Sequence, residues 1–156
     1  MKHIKTVEEL AAFLEVDFSL YEADREIEHA GIHLDRTVTQ VAQAIRHGDP
    51  CAAIIGYKLI MADPHLPFGK LMKSDLARAF KLQVELLTEQ EKLTLAGKTA
   101  ELLSLEYCPR EVEDYCKLVK KMGAQVEDIV ISHSHPVNDK ARSLVAYLRM
   151  PQRKEA

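Results

Sequence analysis

Helix-start and helix-stop residues punctuate this chain from end to end, and the apolar residues between them recur every three or four positions. Thr6-Val-Glu-Glu9 and Thr88-Glu-Gln-Glu91 each offer a hydroxyl and, three residues on, a carboxylate, the pair that satisfies the free N–H groups of a helix start. Asp49-Pro50 sets a capping carboxylate before a proline, whose missing N–H does no harm in a first turn. Gly48 and Gly123 stand where helices stop, and residues 63–69, reading DPHLPFG, form the clearest internal loop. The spacing predicts a short helix after Thr6, a helix over Pro50 to Ala62, one over residues 70–87, one from Thr88 to about Leu105, one opened by Pro109 and closed by Gly123, and a last one from Asn138 to Met150. Val126 to Ile131 is a short β-branched run that periodicity leaves open. It is read as helix, because an isolated strand would have nothing to pair with.

The longest expected element lies between the first two. Leu20, Ala23, Ile27, Ala30, Leu34, Val38, Val41 and Ile45 share one side of a helix at about 100° per residue, which predicts one long helix from about Ser19 to His47, with a bend possible at Gly31. The expected fold is therefore all-α: a single-domain bundle over residues 1–150 of six or seven helices around one long central helix, with 151–156 as a flexible tail. The length of 156 residues suits one core, and 47% hydrophobic with 29% charged residues suits a folded chain. Ile27→Asp is expected to be strongly destabilising and Glu22→Ala nearly neutral.

A net charge of −3 argues against a strongly basic nucleic-acid binder. The three cysteines, Cys51, Cys108 and Cys116, show no C-x-x-C pairing and are expected to be packed free thiols of a reducing compartment. The N-terminus carries acids where a signal peptide would be apolar, and no apolar run is long enough to span a bilayer, so a cytoplasmic location without membrane contact is expected. Phosphate-cradling glycine loops are absent, and no Ser or Cys sits in a recognisable nucleophile setting, so the chain reads as non-enzymatic.

Three short stretches carry possible chemistry. Glu22, Glu26, His29 and His33 would form one stripe of the long helix. Glu26, His29 and His33 are the candidate metal ligands, for zinc or, with more carboxylates, iron. The string Glu26-Ile-Glu-His29 resembles the Glu-x-x-His element of ferritin-like di-iron proteins, which implies a second such element and two further glutamates; this chain has no second element. Ordinary solvated pairing accounts for the same spacing, so no cofactor is expected, and replacing His29 and His33 together by alanine is expected to leave the melting temperature nearly unchanged in the presence of a chelator.

Ile131 to Pro136, ISHSHP, resembles the His-Ser-His-Pro core of JAMM-type metallopeptidases, and Ser143 falls at that family's serine spacing. The acid that family needs is replaced by Ala146, and its fold is α/β. His133 and His135 are expected at a helix junction. Leu87 to Glu91 with Pro109 to Ala124 resembles the helix-turn-helix of LuxR-type regulators, which implies DNA contacts by Arg110, Lys117, Lys120 and Lys121; Glu111, Glu113 and Asp114 crowd the same helix start. The leading functional expectation is a helical protein that binds another protein or itself in a regulatory or adaptor role. Metal binding at Glu26/His29/His33 and DNA binding through 110–122 are the alternatives.

Overall fold

A computed structural model describes residues 3–25 and 29–151. Ile27, Glu26 and the 152–156 part of the expected tail lie outside the described residues. The described chain is all-helical as expected, with eight α-helices rather than six or seven: α1 Val7–Leu14, α2 Ala30–Arg46, α3 Pro50–Ala62, α4 Gly69–Leu82, α5 Glu89–Leu103, α6 Val112–Met122, α7 Ala124–His133 and α8 Asp139–Arg149, with a 3-10 turn at Val84–Leu86. Among these residues no helix is long and apolar enough to cross a membrane. The chain divides into two compact units, Met1–Leu86 and Leu87–Ala156.

In the first unit α2 packs on α3 and α4, α3 on α4, and α1 lies on α2 and α3. Leu34, Val38, Val41 and Ile45 of α2 are buried as their spacing predicted, and they meet a core that includes Leu59 and Ile60 of α3 and Leu76 and Phe80 of α4. Each such side chain contributes ~1.5–3 kcal/mol on leaving water. Close packing at α3 depends on Gly56: a Cβ there would stand 2.8 Å from Ile45 Cδ1 and 3.2 Å from the Phe80 ring.

The start signals act as expected, with one difference. Thr88 and Glu91 form the full reciprocal box, the Glu91 N–H donating to Thr88 Oγ1 at 3.1 Å and the Thr88 N–H to Glu91 Oε1 at 2.9 Å. At Thr6 only half forms: Oγ1 accepts from the Glu9 N–H, while the Glu9 carboxylate takes the N–H of Lys5 and the Thr6 hydroxyl. Asp49 Oδ1 accepts from the N–H groups of Cys51 and Ala52, and α3 runs over the predicted span.

The long helix from Ser19 to His47 is not formed. Residues 19–25 are turn and irregular chain, and α2 begins at Ala30. Leu20 is 83% exposed and Ala30 is exposed, so the stripe is continuous only from Leu34 onward. The polar groups of this segment have partners that a helix would not allow. Tyr21 is buried and its hydroxyl reaches Asp49; the Ala23 N–H donates to Thr37 Oγ1 at 3.0 Å; His29 caps α2 with its ring. Backbone groups satisfied this way no longer need helical hydrogen bonds.

In the second unit α5 packs on α6 and α7, α6 on α7 and α8, and α7 on α8. Val126 to Ile131 is helical, within α7, and α6 starts at Val112 rather than Pro109. Cys108 and Cys116 are buried free thiols, as expected. Cys51 is free but exposed, because it lies on the outer side of the first turn of α3.

Candidate functional site

His29 and His33 are the described members of the expected metal trio, and both spend a ring nitrogen on the fold. His29 stands just before α2, where its Nδ1 accepts from the N–H groups of Gly31 at 3.1 Å and Ile32 at 3.3 Å. Gly31 makes room for it: a Cβ there would stand 3.1 Å from the imidazole Cε1. His33 is buried, and its Nε2 donates to the Ala23 carbonyl at 3.1 Å, with Glu22 Oε1 3.6 Å away. Glu22 also contacts Arg25, which pairs with Glu8 at 2.7 Å. Because Glu22 lies before the helix, it does not continue a helical stripe through His29 and His33. Among the described residues no three His, Cys, Asp or Glu side chains gather within reach of one ion.

The candidate DNA-contacting cations are placed unequally on the second unit. Lys117 pairs with Glu113 at 3.5 Å across one helical turn. Lys120 donates to the Met150 carbonyl at 2.6 Å, lies 3.8 Å from Glu127 and 5.1 Å above the Tyr147 ring, so it ties α6 to the end of α8. Arg110 and Lys121 are exposed. The acids Glu113 and Asp114 occupy the first turn of α6, and Glu111 just before it is buried.

His133 ends α7 and His135 lies in the junction before Pro136, as expected. This junction organises a surface that the sequence did not single out. The His135 N–H donates to Ser104 Oγ at 2.9 Å, and Asn138 Nδ2 donates to the carbonyls of Leu105 at 3.1 Å and Glu106 at 3.2 Å, while Asn138 Oδ1 caps α8 through the Ala141 N–H. The end of α5 is thereby fastened to the α7–α8 junction. Leu105, Tyr107 and Val137 project from these two fastened segments and are 43%, 71% and 54% exposed. A cleft of about 320 Å³ is lined by Ile131, Ser134, Pro136, Val145, Arg142 and Arg149. No periodicity reports Leu105, Tyr107 and Val137, because they sit on loops that only the fold brings together.

The buried thiols offer little nucleophilic chemistry. Burial pushes the Cys116 thiol up to about 12, with neighbouring Cys108 adding to the effect, and burial likewise raises Cys108. Both are protonated at neutral pH. No family model, no curated protein and no solved structure matches this chain.

Proposed function

We propose that the protein acts by binding another protein through the surface of its second unit, as a non-enzymatic regulatory or adaptor protein of the cytoplasm. The observation that carries this reading is the exposure of Leu105, Tyr107 and Val137 on segments held together by the Ser104 and Asn138 hydrogen bonds. Large apolar side chains scattered singly over a surface are ordinary, whereas an aromatic and two aliphatic residues presented on fastened loops suit the anchor positions of an interface. Arg142 and Arg149, beside an apolar cleft, suit a partner segment with acidic residues flanking an apolar one.

The test is affinity capture from an extract of the source cells, with sedimentation velocity on the purified chain to detect self-association. A partner, or a second copy, held by the wild type and lost in Tyr107→Ser combined with Val137→Ser supports the reading, provided the variant keeps its helical circular dichroism. Identical capture and sedimentation by the two folded proteins would remove this surface from consideration.

A further inference from the structure

His3 and His65 are 62 positions apart and belong to none of the groups above. Their rings meet edge to face, with Nδ1 of one 3.0 Å from Nδ1 of the other, centroids 4.4 Å apart and planes at 87°. Both residues are exposed, yet the backbone that presents them is anchored. The Ile4 N–H donates to the His65 carbonyl at 3.2 Å, residues 3 and 65 form a parallel bridge, and the neighbouring side chains Ile4 and Leu66 are buried. The rings are thus held on two pinned extended segments of the first unit, the N-terminal one and the loop before α4.

Two neutral imidazoles at this separation share one proton, the Nδ1–H of one ring donating to the Nδ1 lone pair of the other. The nitrogens are closer together than the ring centres, so the two Nδ1 atoms face one another. That is also the donor set of a two-imidazole chelate. Nitrogens each ~2.0–2.1 Å from one ion stand about 2.9 Å apart at a right angle and about 3.3–3.4 Å apart at the tetrahedral angle. The observed 3.0 Å fits the right angle of tetragonal Cu2+ or Ni2+ better than tetrahedral Zn2+.

We propose that His3 and His65 form a binding site for a divalent transition-metal ion of the Cu2+ or Ni2+ class, ligated through both Nδ1 atoms, with water in the remaining positions. On binding, the ring that carried the Nδ1 proton moves it to its own Nε2, so both rings stay neutral and the ion replaces a shared proton. The ion would tie the N-terminal segment to the loop before α4, and binding to the folded chain alone would stabilise the first unit.

The chelator-treated full chain is titrated with CuCl2 and with NiCl2, each alone, by calorimetry, and the Cu2+ form is examined by electron paramagnetic resonance. The expected results are nitrogen couplings from two imidazoles, a melting temperature raised by Ni2+, and at least a tenfold loss of affinity in either His3→Gln or His65→Gln. Circular dichroism without metal should be unchanged in both variants. Affinity retained by His65→Gln would overturn the proposal, because the ion would then be held by His3 with other groups. Equal binding by wild type and the His3→Gln/His65→Gln double variant would overturn it as well.

Discussion

The Tyr21 hydroxyl donates to Asp49 Oδ2 at 2.7 Å, while Oδ1 of the same carboxylate caps α3. One side chain therefore starts a helix and anchors the irregular segment that stands where a longer helix would have run. The carboxyl of Asp49 is held below the usual carboxylate range, chiefly by the tyrosine hydroxyl, and burial together with the Asp49 carboxylate raises Tyr21 above its ordinary 10.0.

These two directions define a pH window. Asp49 has a depressed folded value, so its contribution is present above its ordinary 3.8 and is lost as pH falls through the folded value. Tyr21 has a raised folded value, so its contribution is complete below about pH 10 and is lost as pH rises through the folded value. Tyr21→Phe is expected to cost ~1–2 kcal/mol at pH 7, toward the lower part of the range for a hydrogen bond to a charged group because Asp49 is partly solvated. The alkaline limb should also flatten in the variant. Urea unfolding at a series of pH values checks both; a variant whose alkaline limb matches wild type would show that Tyr21 is not its source.

Gly56→Ala is expected to destabilise the first unit by ~1–3 kcal/mol despite the better helix propensity of alanine, because the new methyl would meet Ile45 and Phe80 in a filled core. Gly97→Ala, in α5 with open space around its Cβ position, should stabilise by ~0.5–1 kcal/mol. Opposite shifts of the two urea midpoints are the predicted outcome, and shifts of the same sign would contradict the packing described at α3.

Replacing His29 and His33 together by alanine was expected from sequence to be nearly silent in a chelator. The structure assigns it a cost that does not depend on metal, since a cap of two N–H groups and a buried hydrogen bond to Ala23 are both lost. A loss of ~2–3 kcal/mol is expected, with the same melting-temperature decrease with and without chelator. A decrease seen only when metal is present would return the pair to the role of ligands.

The two threonine caps should differ. Thr88→Ala removes a reciprocal box and is expected to cost ~1 kcal/mol or more, and Glu91→Ala to cost part of that. At Thr6 the glutamate serves the Lys5 N–H instead of the threonine N–H, so Glu9→Ala should cost less than Glu91→Ala. Hydrogen exchange at the first turns of α1 and α5 separates the two cases.

Helix boundaries at Asp49-Pro50, Gly48, Thr88, Gly123 and Asn138 were legible because capping is local: donor and acceptor lie within a few residues, and nothing distant is needed to form them. The same locality explains the buried run Leu34, Val38, Val41, Ile45, whose period is a property of the helix itself. Periodicity failed over residues 19–25 and at His29, where apolar residues in phase with a helix are overruled by Tyr21 on Asp49, Ala23 on Thr37 and the His29 ring on its own helix start. The facing rings of His3 and His65, and the apolar residues of the α5 end and the α7–α8 junction, were equally invisible, since neither has a sequence spacing that physics prefers. Sequence alone determined where most helices start and stop, because a cap and the turn it closes lie within a few residues of each other. Tertiary structure alone decided where a helix gives way and which side chains meet, because those outcomes depend on hydrogen-bond partners and packing surfaces that exist only once distant segments have come together.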